Sequence, residues 1–309
     1  MSRSLFHPSF VIFGLFVTMN MIDAADLHNA SNLTEITWAH AVDSQKFLSD
    51  VLQGDIDFIE ADILLGFLEN DANKESEIPI MAHPPATTSD LSLEAFLTHI
   101  QAYNTAVQPS KVKGVKLDFK SIGALEKSIG IIGKSYDMQK FPTWINADIL
   151  PGPVNNTETI PVDPKRFFDA VKQLGPAVLS IGWTTKWSES STDGQYTRAH
   201  VSQMINVIKD NRIDEAGNVI TFPVRAGITA HSLESLVYLY CSVKETNPVT
   251  FTIWSSANDA VNVENLRKFI FTIGLDKVYV DVPDELNEQL RLNDNPFGTT
   301  KTDIRCNDS

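Results

Sequence analysis

The sequence predicts an α/β chain of the (β/α)8 TIM-barrel class, folded as a single domain. From residue 34 onward, short β-rich runs alternate with amphipathic segments, and the ionisable residues gather at the ends of those runs. A doubly wound open sheet is disfavoured, because "WAHAVDSQ" stands after the first run where a G-x-G-x-x-G turn belongs. Eight strand-plus-helix units between residues 34 and 290 are what a barrel needs.

Each element has its own signal. The first strand is "TEITWAH" (34–40), with a helical pattern over 43–53. The second, "DFIEADIL" (57–64), precedes an extra short strand, "IPIMAH" (78–83), and a helix over 92–104 that opens on Ser92 as N-cap. "KGVKLDF" (113–119) is the third, and its helix over 121–134 opens on Ser121. "TWINADI" (143–149) is the fourth. The Pro-containing "LPGPVNNTETIPVDP" (150–164) reads as a long loop leading to a helix over 163–173. The last four units pair "AVLSIG" (177–182) with 196–210, "ITFPVR" (220–225) with 231–245, "VTFTIW" (249–254) with 259–272, and "KVYVD" (277–281) with 283–290. No linker or repeat divides the chain, so residues 26–309 read as one domain.

With 43% hydrophobic and 21% charged residues, the 309-residue chain has the make-up of a core-forming globular protein. A formal charge of −14 argues against nucleic acid or an anionic membrane surface as the main partner, though not against a local cationic site. Residues 1–25 read as a secretory signal: Arg3, the apolar run "FVIFGLFVTM" (10–19) and the small-residue region "DAAD" (23–26). That run is short for a transmembrane helix and no second one follows, so a cleaved signal is expected ahead of an uncleaved signal anchor, leaving a secreted or lumenal mature chain with no span. Glycosylation sequons at Asn29, Asn32, Asn155 and Asn307 agree with that route. Cys241 and Cys306 make one bridge or none, and cannot build a disulfide scaffold or a zinc cluster.

Glu60 and Asp62, in "DFIEADILLG" (57–66), share one face of an otherwise apolar strand. Two anions there repel each other and lose hydration unless something compensates them. In a barrel, the C-terminal strand ends meet on one rim, where active sites form. On that rim the sequence places His40, His83, Asp118 and Lys120 (spaced i, i+2), Asp148, Arg225, Trp254 and Asp281. Glu60, Asp62 and Asp118 make a hard-cation site suited to Mg²⁺ or Ca²⁺, whereas zinc usually recruits His or Cys. Lys120 suits an anionic substrate oxygen, and His40 and His83 offer a general acid and a general base. Such a set suits phosphodiester cleavage. Each member also has a structural reading: a hydrogen-bonded strand-end histidine, a salt-bridged E-x-D pair, a Lys120–Asp118 ion pair, a core Trp254. His99 and His200, on helical segments, are read as structural. Glycoside hydrolysis by Glu60 and Asp118 is a further alternative, less natural beside a lysine and two histidines.

These motifs, in this order, resemble the glycerophosphodiester phosphodiesterase-like barrels and the spider-venom phospholipase D enzymes. The shared series is "WAHAVD", "IEADI", "PIMAHPP", "KLDFK", "TIWSSAND" and the closing "DVPDEL". Within that superfamily, "INADILPGP" (145–153), "LSIGWTT" (179–185) and "KGVKLDFK" (113–120) look like the menorin family of extracellular or membrane-attached barrel proteins. The resemblance implies catalytic roles for His40 and His83 and metal ligation by Glu60, Asp62 and Asp118. It implies phosphate and head-group contacts for Lys120 and Trp254. The chain departs from the bacterial-type enzymes in carrying Ala41-Val42 where they have Arg-Gly, and Pro84 where they often have Asp. Arg225 or Lys116 would have to supply the missing cation, although the venom enzymes lack that arginine too. Two functions follow from the resemblance. One is a metal-dependent phosphoric diester hydrolase or lyase acting on a phosphodiester or lysophospholipid-type small molecule. The other is a non-catalytic extracellular module that binds a cell-surface protein.

Overall fold

In a computed structural model, which describes residues 31–70, 76–137, 140–154, 159–174, 177–295 and 306, eight parallel strands curl into a nearly closed barrel. The signal segment 1–25 and the sequons at Asn29, Asn155 and Asn307 lie outside the described residues. In chain order the elements are β1 (Trp38–Ala39), α1 (Gln45–Gln53), β2 (Phe58–Leu68), β3 (Ile78–Met81), β4 (Thr88–Ser89), α2 (Leu93–Ala106), β5 (Gly114–Phe119) and α3 (Ile122–Ser135). Then come β6 (Thr143–Pro151), α4 (Pro164–Val171), β7 (Val178–Thr184), α5 (Arg198–Asp210), α6 (Ile213–Ala216), β8 (Ile220–Arg225), α7 (Ala226–Thr229), α8 (Leu233–Val243), β9 (Val249–Trp254), α9 (Val263–Ile273), β10 (Val278–Asp281) and α10 (Asp284–Leu290). The barrel order is β1-β2-β5-β6-β7-β8-β9-β10, and β3 (antiparallel) and β4 (parallel) attach to β2 beside it.

Local chemistry explains most boundaries. Ser92 and Ser121 cap α2 and α3 by accepting from the amides of Ala95 and Ala124, each at 3.2 Å. His200 completes a capping box with Thr197 at the start of α5, and His99 bonds the Ala95 carbonyl one turn back on α2. The expected first strand over 34–40 is mostly not strand. Asn32 Oδ1 accepts from the amide (3.1 Å) and hydroxyl (2.7 Å) of Thr34, and this local bonding winds Leu33–Glu35 into a 3-10 turn. Only Trp38 and Ala39 remain to pair with β2. Cys241, on α8, and Cys306 form a disulfide that ties the C-terminal tail to the barrel.

Strand alternation sorts the two faces. Ile59, Ala61 and Ile63 point outward and join the buried layer between strands and helices. Phe58 points inward, where it meets Trp38, Trp144 and Tyr279, with ring centroids 4.8–6.1 Å apart. Gly114 makes this aromatic floor possible, because a Cβ there would sit 2.4 Å from the Phe58 ring. Above the floor the barrel lining turns polar, and the site begins there. Among the described residues no ladder joins β10 to β1; the Trp38–Tyr279 contact and a side-chain bond from His40 span that seam.

Candidate active site at the barrel mouth

The second and fifth strands bring three carboxylates together. In register, Asp62 on β2 lies beside Asp118 on β5, and Glu60 beside Lys116. One carboxylate oxygen each from Glu60, Asp62 and Asp118 lies within 4.8 Å of the other two. Lys120 Nζ sits 2.6 Å from Asp62 Oδ1 and 2.5 Å from Asp118 Oδ2. The ammonium is therefore an internal counter-ion for two of the three. Asn146 on β6 donates to Asp118 Oδ1 (2.6 Å), and Ser180 on β7 donates to Asn146 Oδ1 (2.5 Å), so the cluster is braced by the next two strands.

Glu60 is held from the other side. Its Oε2 accepts from the Ala41 amide at 2.8 Å. Ala41 adopts a left-handed conformation (φ 54°), uncommon for a residue with a side chain and frequent where a functional geometry dictates the backbone. The same turn brings Asp43 Oδ1 to the Asp62 amide at 2.9 Å. His40 is half-exposed at the rim, with Nδ1 3.0 Å from Asp281 Oδ2 and 3.4 Å from Glu60 Oε2. His83 is exposed and donates Nδ1–H to the Pro84 carbonyl at 2.6 Å. The Ala82 amide, bonded to the Asp62 carbonyl at 3.0 Å, anchors that segment beside the cluster.

The crowding of charge moves the titrations. Burial opposes protonation of His40, but Glu60 and the Asp281 bond outweigh it and raise its pKa to about 9. Burial and then the Glu60 charge raise Asp62, against the pull of Lys120. Burial also opposes ionisation of Asp118, yet Lys120, Lys116 and the Asn146 bond prevail and hold it below the ordinary carboxylate range. Lys120 is pushed well above its usual value because its carboxylate partners outweigh its burial. Burial, then Asp118, raises Asp148 on β6 to about 7.

The remaining sequence candidates divide. Lys116 is only 3% exposed, lines the barrel interior and has no hydrogen bond or ion pair among the described residues. Arg225, at the end of β8, is already engaged. It forms a two-pronged pair with Asp259 (2.8 and 2.9 Å), donates to the Trp187 carbonyl (3.0 Å), and stacks 4.8 Å over Trp254. Arg225 and Trp254 thus form a separate wall, apart from the carboxylate cluster. Sequence reasoning gave no role to Asn146, Ser180 or Asp43, and put Asp281 on the rim without seeing its bond to His40. The uncharged pair reads as ordinary strand, and only the i, i+2 phase with Asp148 could have flagged Asn146 as inward.

Comparison with known proteins fits this architecture. Residues 32–287 match the family model described as Menorin N-terminal domain. The chain is 35% identical over 263 residues to human Protein FAM151B, covering 85% of this chain and 87% of the relative. Among solved structures it resembles the GH53 catalytic domain of Ignisphaera aggregans (TM-score 0.39, 11% identity, 80% of each chain). It also resembles the carboxyl transferase domain of Rhizobium etli pyruvate carboxylase (0.40, 10% identity, 85% of this chain and 42% of that one). These structural likenesses are too low to carry any argument about function. The family match covers the span that builds the barrel and its acidic mouth, and with the relative it shows that the chain belongs to the menorin family.

Proposed function

We propose that this menorin-family chain is a secreted, divalent-metal-dependent phosphoric diester hydrolase or lyase of the phospholipase-D-like kind, acting at the barrel mouth. The observation that supports it most is the meeting of Glu60, Asp62 and Asp118 within 4.8 Å beside Lys120 and His40, drawn from β2, β5 and the turns that follow β1 and β5. The donor set is all oxygen, as Mg²⁺ and Ca²⁺ prefer, and Asp62, resisting ionisation beside Glu60, has the environment a dication would relieve. Those three residues would hold the metal, which when bound would supply charge stabilisation for phosphoryl oxygens.

The histidines have complementary proton positions. The Pro84 carbonyl can only accept, so His83 carries a proton on Nδ1, and its neutral form presents Nε2 as the acceptor a general base needs. His40 is held protonated near neutral pH by Asp281 and Glu60, so its Nε2–H is a donor, the form a general acid needs. His83 would take a proton from the attacking water or substrate hydroxyl, and His40 would give one to the leaving oxygen as the P–O bond breaks. The test is turnover of glycerophosphodiesters and lysophospholipids by purified protein with Mg²⁺ or Ca²⁺. Activity lost in His40→Ala supports the reading; no turnover across the panel, with no metal bound, refutes it.

One observation favours the second reading, a non-catalytic recognition module for a cell-surface protein. Lys120 already pairs with both Asp62 and Asp118 without any metal. Cell-surface binding unaffected by Glu60→Ala and Asp118→Ala would select it.

A further inference from the structure

Two charged groups in the barrel remain unused by the roles just described. Lys116 is buried and unpartnered above the aromatic floor, in register with Glu60 on one side and Trp144 on the other. Asp148, two strands away from Glu60 on β6, is partly buried and likewise has no side-chain hydrogen bond or ion pair among the described residues. The two feel each other's charge but stay beyond ion-pair distance. Lys116 lends its charge to Asp118 as well, but neither it nor Asp148 has a direct side-chain partner, and a ligand carrying both an anion and a hydrogen-bond donor would satisfy the two together.

The backbone is shaped around Asp148. The β6–β7 register shifts between Asp148 and Leu150, a bulge of the kind that re-aims a side chain beside a site. Across from it, Gly182 on β7 leaves room for the carboxylate. A Cβ there would lie 2.8 Å from Asp148 Oδ1 and 2.8 Å from Pro223 Cγ. Arg225, the nearest cation on that wall, is committed to Asp259. The Asp148 carboxylate is thus left without a side-chain partner among the described residues, with its Oδ1 against the open side of Gly182.

From this placement we propose that Asp148 is a specificity-determining residue. It accepts a hydrogen bond from a donor, a hydroxyl or a primary ammonium, on the group esterified to the phosphate, while Lys116 holds a phosphate oxygen. The assignment rests on the phosphodiester reading and adds to it a discrimination. Head groups that can donate are favoured over a quaternary ammonium, which cannot.

The test is calorimetric binding of inorganic phosphate, glycerol 3-phosphate, phosphoethanolamine and phosphocholine to the full chain with its disulfide intact. Wild type is expected to prefer phosphoethanolamine or glycerol 3-phosphate over phosphocholine by about tenfold or more, the range of a hydrogen bond to a charged group. Asp148→Ala should abolish that preference while binding inorganic phosphate at least as tightly, since an anion near Lys116 is gone. Lys116→Met should weaken all four probes. The near-isosteric Asp148→Asn keeps an acceptor and loses the charge, so it separates the two donor sources even if Asp148→Ala folds poorly. A preference lost in Asp148→Asn marks an ammonium, and one retained there but lost in Asp148→Ala marks a hydroxyl. A wild-type chain with no preference, or one untouched by either Asp148 variant, overturns the assignment alone. A wild-type chain that binds none of the phosphate probes overturns the phosphodiester reading along with it.

Discussion

Asp148 offers a stability experiment that requires no substrate. In the folded chain its carboxyl keeps a proton up to about pH 7, whereas in the unfolded chain it loses it near its ordinary value of 3.8. Between those values the folded state binds more protons than the unfolded one, so stability falls as pH rises through the window. A shift from 3.8 to about 7 corresponds to a loss on the order of 4 kcal/mol, largely complete by pH 8. Asp148→Asn cannot lose a proton there and should escape that loss. The assay is urea unfolding of both proteins at pH 5 and pH 8 with chelator present. Relative to wild type, the variant should gain about 2–3 kcal/mol on going from pH 5 to pH 8, because part of the loss is already complete at pH 5. Asp43 and Asp62 are also raised and will tilt both curves, so the difference between the two proteins isolates Asp148. Parallel curves for wild type and variant would refute the argument that this carboxyl is desolvated and unpaired.

Other perturbations address the scaffold and the acidic mouth. Lys120→Met removes the counter-ion of Asp62 and Asp118; it should cost about 3–5 kcal/mol without metal, and millimolar Mg²⁺ or Ca²⁺ should restore much of the loss in a thermal melt. A variant that is stable without metal and indifferent to it would count against the cluster as a cation site. Asp259→Ala strands the buried Arg225 guanidinium and should likewise cost about 3–5 kcal/mol, measured by chemical unfolding. Cys306→Ser opens a loop spanning 65 residues and should cost about 4 kcal/mol on the chain-entropy estimate. Cys241→Ser should give the same loss, and the double variant no more, because all three break one bond.

Sequence by itself determined the order of strands and helices, through alternation and capping residues, and the parity that puts Glu60, Asp62, Asp118 and Asp148 on the inner face. It also identified Lys120 as a candidate partner of Asp118, since i, i+2 on a strand fixes the side on which both point. The fate of the first strand was less legible, because one Asn32–Thr34 bond decides between an extended segment and a tight turn. Tertiary structure alone decided which charges meet. His40 and Asp281 are 241 residues apart and touch only because the barrel curls until its end strands face each other. Arg225 and Lys116 look like equal candidates for an anion site in sequence, yet one is saturated by Asp259 and the other is left without a partner. Backbone phase is a local property and can be read along the chain. Charge compensation depends on distances of a few ångströms between segments far apart in sequence, and only closure of the barrel sets them.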